Sequence, residues 1–353
     1  MKVLISGTAA AHGWPVPGCG CASCARLPSG HRRPTEIALA DPVRLPPAGP
    51  LPAGYRASTG PDGLALTAPG GERILYAAPH AHHVVSFPDG HGDRPGGHGE
   101  RLACDLVLID VLDRPERLGD LRRRGVIGER THIVAVGIDH RVPTEAELAR
   151  RAALWGVRAV PDGTVLDTGE PVPVRPPRPR RTLLLGGARS GKSAEAELRL
   201  AGEPEVLYVA TGPSGGDDAE WDRRVRAHRE RRPAHWGTAE TTDLAGLLRT
   251  AEVPLLVDGL GTWVAAVFDE CDAWSDPRAG EAVTARCDEL VAAWRQTRVQ
   301  VVAVSDETGL GVVPATSSGR AFRDALGRLN QRLALESEDV ALVVAGRVLP
   351  LPV

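Results

Sequence analysis

Residues 186–193 read GGARSGKS and carry the most recognisable chemistry of the chain. Gly186, Gly191, Lys192 and Ser193 satisfy the spacing G-x-x-x-x-G-K-[ST]. In that pattern a glycine-rich turn points successive main-chain N–H groups at phosphate oxygens, the lysine reaches the outer phosphates of a nucleotide, and the hydroxyl ligates Mg²⁺. The stretch therefore predicts a phosphate-binding loop. The alternative is a glycine-rich turn with an exposed lysine.

The flanking residues favour the phosphate-binding interpretation. An apolar run, TLLL, precedes the loop, and a good helix former, AEAELRLA, follows it, so the loop would lie at the positive end of a helix. Asp258, at the end of the apolar run LLVD, is suited to a second magnesium ligand, although a turn aspartate is the alternative. We predict Lys192 and Asp258 as catalytic residues, and Ser193 with Asp258 as Mg²⁺ ligands. The predicted nucleotide contacts in the loop are Gly186, Gly187, Ala188, Arg189, Ser190, Gly191, Lys192 and Ser193.

The second half of the chain must supply the elements that hold this loop. Short runs rich in β-branched residues alternate there with helical patterns, which indicates a doubly wound α/β domain whose ligands bind at the carboxyl ends of the strands. We predict a mostly parallel sheet of the P-loop NTPase type (RecA-like). The predicted strands are 206–210, 254–258, 299–305 and 340–346, and the predicted helices are 218–231, 262–271, 280–295 and 318–337.

The first half is rich in glycine, proline and histidine, and a proline- and arginine-rich segment separates it from the second. Such a segment continues neither a helix nor a central strand, and it predicts an extended linker. We therefore divide the chain into domains 1–170 and 182–353, joined by the linker 171–181. In the first domain we predict strands at 2–6, 73–78, 105–111 and 132–137 and a helix at 144–156, with loop in parts of 41–70 and 88–101.

Composition narrows the class of protein. The chain has 353 residues, 42% of them hydrophobic and 25% charged, with a net charge of −3. No basic field favours nucleic acid, and no apolar stretch is long enough for a membrane span or a signal peptide, so we predict a cytoplasmic protein without nucleic-acid partners. The cluster Cys19, Cys21 and Cys24 suggests a metal rather than disulfides. Three scattered residues, Cys104, Cys271 and Cys287, are expected in the core.

From about residue 181 to 349 the sequence resembles the family of adenosylcobinamide kinase / adenosylcobinamide-phosphate guanylyltransferase, an enzyme of cobalamin biosynthesis. The resemblance rests on several blocks in one order: GGARSGKS, VLYVATG, RVRAHRERRPAHWGTAE, LLVDGLGTWV, VSDETGLGVVP and GRAFRDALGRLNQRLA. It implies two reactions. ATP or GTP phosphorylates adenosylcobinamide, and GMP is then transferred from GTP to that phosphate.

The same resemblance implies a guanylylated histidine. The family pattern R-[IV]-x-x-H-[RK] falls on Arg224 and His228, so His228 is the expected catalytic nucleophile, with His235 as the alternative. A neutral imidazole is a competent nucleophile near pH 7. Without the resemblance, His228 would be one polar residue on an arginine-rich helix face. Further nucleotide contacts implied are Thr211, Arg224, Glu240 and Glu307. The family usually has asparagine at Asp306, so the charge here is expected to lower nucleotide affinity.

Residues 5–27, ISGTAAAHGWPVPGCGCASCARL, resemble the opening of the metallo-β-lactamase fold, in the branch that includes cyclic-phosphate phosphodiesterases. In that branch a C-x-C-x-x-C run and a late histidine can hold a structural zinc, which would here involve Cys19, Cys21, Cys24 and His140. Three thiolates and one imidazole make a closed tetrahedral zinc site. The alternative is three reduced thiols on a surface loop.

The catalytic signature of that fold, H-x-H-x-D-H, is incomplete here. Its nearest counterpart contains His80 and His82, but Val84 and Val85 replace the aspartate and the second histidine, and Gly137 stands where another ligand is expected. Without a catalytic metal no water is activated near neutral pH. We therefore predict a degenerate, shortened metallo-β-lactamase-like domain at 1–170 without hydrolytic activity.

Three functions fit these observations. The leading one is the bifunctional kinase and guanylyltransferase, using Mg²⁺, ATP or GTP and a corrinoid, and forming a homo-oligomer that the family resemblance suggests is a trimer. A metal-dependent phosphoesterase with a regulatory nucleotide domain is the first alternative, and the incomplete metal signature counts against it. A nucleotide-binding module without catalysis is the second.

Overall fold

A computed structural model describes residues 1–40, 43–46, 49, 51–78, 103–174, 177–212 and 232–352. The chain divides into two compact units, Met1–Pro176 and Pro177–Val353, and the division falls inside the proline-rich segment 171–181. Among the described residues, no helix is both long and apolar enough to cross a membrane.

The first unit contains two sheets and two helices in its described part. The sheet orders are β3-β2-β1-β9, which is antiparallel throughout, and β4-β5-β6-β7-β8, in which β6, β7 and β8 run parallel. Its elements are β1 (Lys2–Gly7), β2 (Glu36–Ala40), β3 (Val43–Leu45), β4 (Arg56–Gly60), β5 (Gly63–Thr67), β6 (Arg73–Ala77), β7 (Leu106–Ile109), α1 (Glu116–Arg123), β8 (His132–Ala135), α2 (Glu145–Trp155) and β9 (Thr164–Asp167).

One hydrophobic cluster joins the two sheets of this unit. Alternate residues of a strand point to the same face, and Val3 and Ile5 of β1 share a cluster with Ile74 and Tyr76 of β6. The sheets therefore cover each other's apolar faces. The strands expected at 2–6, 73–78, 105–111 and 132–137 and the helix expected at 144–156 are confirmed.

Parts of 41–70 are loop, as expected, but the sequence patterns missed the strands β3, β4 and β5 in this range. Strands β4 and β5 form an antiparallel hairpin across Pro61 and Asp62, which are favourable turn residues. The β4 sequence, RASTG, is polar and largely exposed, so it shows none of the apolar alternation by which strands are recognised. Residues 88–101 lie outside the described part of the chain.

The second unit is a seven-stranded sheet with helices on both faces. The order is β12-β11-β13-β14-β10-β15-β16, and every pairing is parallel except that of β15 with β16. Its elements are β10 (Arg181–Gly186), α3 (Lys192–Leu200), β11 (Leu207–Ala210), β12 (Gly237–Glu240), α4 (Leu244–Thr250), β13 (Leu255–Asp258), α5 (Leu260–Glu270), α6 (Gly280–Gln296), β14 (Val301–Asp306), α7 (Ser317–Leu335), β15 (Asp339–Val344) and β16 (Arg347–Pro350).

Side chains of β10 alternate between two cores. Leu183 and Leu185 belong to the cluster formed with α4, α5, α6 and α7, whereas Leu184 packs with Ala196 and Leu200 of α3. The α/β architecture and mostly parallel sheet expected here are confirmed. The sequence patterns missed β12, α4 and β16, and the helix expected at 218–231 falls outside the described residues.

A buried ion pair fastens α3 to the sheet. The Arg199 guanidinium contacts Glu195 at 2.8 Å and also Asp339 at the start of β15. The Arg199 and Glu195 side chains are each 8% exposed. Removing one partner of a buried pair leaves the other charge in a medium that solvates it poorly.

We expect Arg199→Ala to lower the free energy of unfolding by about 3–5 kcal/mol, because Glu195 and Asp339 both lose the guanidinium. The matched control is Arg249→Ala, whose pair with Glu289 is exposed on both sides. That substitution should cost less than about 1 kcal/mol. Urea unfolding of both variants measures the difference, and equal losses would contradict the interpretation.

Candidate functional site

The loop between β10 and α3 has two glycine positions, Gly186 and Gly191, that tolerate little change. Gly191, immediately before α3, has a φ of 100°, which favours glycine. A Cβ at Gly186 would lie 2.6 Å from both the Ser190 hydroxyl oxygen and the Val343 carbonyl oxygen. The Ser190 carbonyl also accepts a hydrogen bond from the Gly346 N–H at 2.7 Å. The loop is therefore held between its own residues and the β15–β16 turn.

The predicted magnesium ligands lie together at the carboxyl edge of the sheet. Ser193, in the first turn of α3, places its Oγ 3.2 Å from Oδ1 of Asp258, the last residue of β13. The phenolic O–H of Tyr208, in β11, donates a hydrogen bond to the other carboxylate oxygen of Asp258 at 2.8 Å. Burial, and then the Asp258 carboxylate, raise the pKa of Tyr208, so the phenol remains a neutral donor. A hydroxyl beside an oriented carboxylate is a suitable donor set for Mg²⁺.

The ammonium group of Lys192 contacts two oxygen atoms of the protein. Its Nζ donates to the Gly187 carbonyl at 3.1 Å and lies 2.8 Å from Oδ1 of Asp306, the last residue of β14. Strand β14 lies between β10 and β13, and Asp306 pairs in register with Gly186. Both predicted catalytic residues of the described chain, Lys192 and Asp258, thus lie at one edge of the sheet.

Other predicted contacts lie at the ends of the same strands. Thr211, directly after β11, is buried, and its hydroxyl donates to the Gly259 carbonyl at 2.6 Å. The Glu307 N–H donates to the Gly186 carbonyl at 3.2 Å, which ties the end of β14 to the start of the loop. The Glu307 side chain accepts from the Gly309 N–H and so shapes its own turn.

Glu240 ends β12 and lines a cavity of about 440 Å³. Arg232 and Trp236 also line this cavity, together with Pro233, Ala234 and Thr238. The Arg232 guanidinium stacks over the Tyr208 ring, 3.3 Å from its centroid, and so connects the cavity wall to the partner of Asp258. Trp236 is buried in the core beside this cavity, and the guanidinium and the carboxylate are the groups suited to bind a polar ligand.

Two residues implied by the family resemblance, Arg224 and His228, lie outside the described part of the chain. The alternative nucleophile, His235, is described and half-buried next to the same cavity-lining segment. The candidate metal residues His80 and His82 of the first half also fall outside the described ranges.

The predicted zinc ligands of the first unit form a cluster. The ligand atoms of Cys19, Cys21, Cys24 and His140 all lie within 4.8 Å of one another. His140 Nδ1 is 3.3 Å from the Cys19 sulfur and 3.6 Å from the Cys24 sulfur. A tetrahedral zinc with ordinary Zn–S and Zn–N bonds separates its ligand atoms by about 3.5 Å. The cluster therefore fits zinc.

The backbone around these thiols also fits a metal-binding turn. The Cys24 N–H donates to the Cys21 sulfur at 3.5 Å and lowers the pKa of that thiol to about 7. Burial raises the pKa of the Cys24 thiol. Two of the cysteines expected in the core, Cys104 and Cys287, are buried, and Cys271 is half-buried.

At Gly137, where the resemblance led us to expect a ligand histidine, an ion pair occupies the space. Asp110, buried after β7, accepts from Arg141 at 2.9 Å, and the same guanidinium group donates to the Gly137 carbonyl. Burial raises the pKa of Asp110, against the effect of Arg141. A Cβ at Gly137 would lie 3.0 Å from Asp110 Oδ2, and its φ is +69°. A side chain at Gly137 would therefore disturb this pair.

Sequence reasoning missed the contacts that Tyr208 and Asp306 make with Asp258 and Lys192. Tyr208 was not singled out, although a tyrosine in an otherwise apolar strand is a recognisable signal for a polar partner. Asp306 was noted only as an added negative charge, because no sequence pattern reveals that its carboxylate reaches Lys192.

The second half of the chain matches a family of known proteins. Residues 182–351 match the family model for cobinamide kinase / cobinamide phosphate guanyltransferase. The bifunctional adenosylcobalamin biosynthesis protein CobU of Salmonella typhimurium is 37% identical over 174 residues, 46% of this chain and 95% of that protein. CobP of Pseudomonas aeruginosa, with the same description, is 43% identical over 177 residues, 48% of this chain and 96% of that protein.

Among solved structures, an ATPase from the type III secretion system of pathogenic bacteria is 12% identical, with a TM-score of 0.29. The match covers 46% of this chain and 50% of that one.

The loop geometry predicts different tolerance at two adjacent glycines. Gly186→Ala should lower the free energy of unfolding by about 1–3 kcal/mol, because its Cβ overlaps a backbone oxygen of β15. Gly187→Ala should change it by less than about 0.5 kcal/mol, because no heavy atom lies within 4 Å of the added Cβ. Ligand-free urea unfolding compares the two, and a Gly187→Ala loss as large as that of Gly186→Ala would refute the described loop.

Proposed function

The chain belongs to the cobinamide kinase / cobinamide phosphate guanyltransferase family, and from this premise we propose how its own residues perform both reactions. It is a bifunctional enzyme of adenosylcobalamin biosynthesis, acting as cobinamide kinase and as cobinamide-phosphate guanylyltransferase. The observation that supports the mechanism best is the meeting of Ser193, Asp258 and Lys192 at one sheet edge.

In the kinase reaction the loop 186–193 binds the phosphates of ATP or GTP. A corrinoid hydroxyl attacks the γ-phosphorus and loses its proton to water, a new P–O bond forms, the bond to the bridging oxygen breaks, and the nucleoside diphosphate leaves. Main-chain N–H groups of the loop and the positive end of α3 bind the phosphate oxygens, and Lys192 offsets charge on the transferring group.

Ser193 and Asp258 would hold Mg²⁺ in this reaction. Tyr208 fixes one carboxylate oxygen of Asp258, while the other faces the Ser193 hydroxyl, so the pair is oriented before any ion arrives. A magnesium ion held by these two residues would supply positive charge that offsets the charge of the outer phosphates. Thr211 supports the same edge through the Gly259 carbonyl that begins α5.

In the guanylyltransferase reaction we propose His228 as the nucleophile. An imidazole nitrogen attacks the α-phosphorus of GTP, a P–N bond forms, the α–β P–O bond breaks, and pyrophosphate leaves. The phosphate of the corrinoid then attacks the same phosphorus, which breaks the P–N bond and restores the histidine. Arg224, one helical turn before His228 in the predicted helix, would offset phosphoryl charge.

The cavity lined by Arg232, Trp236 and Glu240 is the proposed site of the guanine ring. A carboxylate such as that of Glu240 accepts well from the ring N–H and amino group of guanine. The remaining predicted contact, Glu307, would act through the main-chain bond that fixes the start of the loop.

The first unit we propose to be a degenerate metallo-β-lactamase-like domain with a structural zinc. Cys19, Cys21, Cys24 and His140 fit a closed four-ligand site, which leaves no position for substrate. The Asp110–Arg141 pair balances a buried carboxylate with an organic cation, a reason to propose no hydrolytic metal there. A cytoplasmic location and a homo-oligomeric state, including a trimer, stay predictions.

Incubation with GTP labelled at the α-phosphorus tests the transferase proposal. We expect wild-type protein to retain acid-labile label, because phosphoramidates hydrolyse in acid, and His228→Ala to retain none. His235→Ala is the matched control and should keep the label. Loss of label in His235→Ala but not in His228→Ala would assign the nucleophile to His235, and an unlabelled wild type would remove the covalent step altogether.

Metal analysis of the purified chain tests the zinc proposal. We expect about one tightly held zinc per chain, because the donor set is complete without added ligands. Cys19→Ser should lose it, whereas Cys104→Ser, which changes a buried thiol outside the cluster, should keep it. Equal zinc content in both variants, or no zinc in the wild type, would contradict the assignment.

A further inference from the structure

The lysine of the phosphate-binding loop forms an ion pair with an aspartate of the neighbouring strand β14. Lys192 Nζ lies 2.8 Å from Asp306 Oδ1 and 3.1 Å from the Gly187 carbonyl that it also bonds. The Lys192 side chain is only 12% exposed, whereas Asp306 is 44% exposed. The ammonium group thus contacts two protein oxygens, although a bound phosphate would need the same group.

The fold fixes Asp306 in this position. Its carbonyl accepts from the side-chain amide of Asn330 at 3.1 Å, and the Asn330 oxygen accepts from the Ser305 hydroxyl at 2.6 Å. Ser305 and Asn330 are both buried. The carboxylate rests against the backbone at the start of α5, because a Cβ at Gly261 would lie 2.7 Å from Asp306 Oδ2. Asp306 is therefore held from the buried side while its carboxylate faces Lys192.

We propose that Asp306 is a positioning residue that holds Lys192 in the phosphate-free loop and yields it to the outer phosphates of the incoming nucleotide. The inference rests on the proposed function, since it takes a nucleoside triphosphate as the ligand of the loop. A partly exposed pair is weak, so a triphosphate can displace it. The contact lowers nucleotide affinity, because the free energy needed to break the Lys192–Asp306 ion pair is subtracted from the free energy of nucleotide binding.

A second effect must be separated from this one. The Asp306 carboxylate also repels phosphate directly, and that repulsion does not depend on Lys192. Only the proposed contact acts through the lysine. A double-mutant cycle between the two residues therefore distinguishes them.

The experiment measures GTP binding by calorimetry in the presence of Mg²⁺. Asp306→Asn keeps the size of the side chain and removes its charge, and should lower the dissociation constant about fivefold, as expected for loss of a partly exposed pair. In a Lys192→Ala background the same substitution should change it less than about twofold. Glu289→Gln removes an exposed carboxylate elsewhere in the second unit and should leave the affinity unchanged.

A second readout needs no nucleotide. Lys2 and Lys192 are the two lysines of the chain, so Lys2 is an internal reference for acylation by acetic anhydride, followed by peptide mass spectrometry. In the ligand-free protein, Asp306→Asn should raise the acylation rate of Lys192 relative to Lys2 severalfold, because the amine is released from its carboxylate. The Glu289→Gln protein should show the wild-type ratio.

Unchanged or weaker GTP binding in Asp306→Asn would overturn the inference, as would an equal gain in the Lys192→Ala background. An unchanged Lys192 acylation ratio would overturn it even if binding to the Lys192→Ala protein were too weak to measure. Failure of the wild type to bind GTP would overturn the proposed function together with this inference. Normal GTP binding with no effect of Asp306→Asn would overturn the inference alone.

Discussion

The parallel register of β10, β14 and β13 is the constraint on which the nucleotide site depends. Gly186 pairs with Asp306, and Asp258 pairs with Val304 two residues earlier on the same strand. The three strands therefore end at one edge of the sheet. There β10 leads into the loop, and β13 and β14 end in the carboxylates of Asp258 and Asp306. Separate segments far apart in sequence meet there because parallel strands share the direction of their carboxyl ends.

This edge concentrates charge that the chain itself must balance before substrate binds. Ser193 and Tyr208 orient Asp258, while Asp306 engages Lys192, so each charged group already has a polar partner. Such preorganisation reduces the reorganisation needed when phosphate and magnesium arrive. The disadvantage is competition, because Asp306 neutralises Lys192 and so opposes binding of the phosphate that must contact the same lysine.

The sequence predicted the parts whose signal is local. A glycine-rich spacing identified the loop, apolar runs identified the central strands, and Asp258 followed from its place at a strand end. Strand β4 was missed because its residues are polar and exposed, and β12 because GTAE is short and barely apolar. The Lys192–Asp306 and Tyr208–Asp258 contacts were beyond sequence reasoning, because they depend on strand order rather than on spacing.

Turnover of adenosylcobinamide with GTP and Mg²⁺, followed by mass spectrometry of the corrinoid, tests the central claim most directly. The account predicts that the corrinoid first gains one phosphate and then the mass of a GMP group, and that both products disappear when GTP is omitted. A corrinoid whose mass stays unchanged in the complete mixture, with the protein folded and GTP bound, would contradict it.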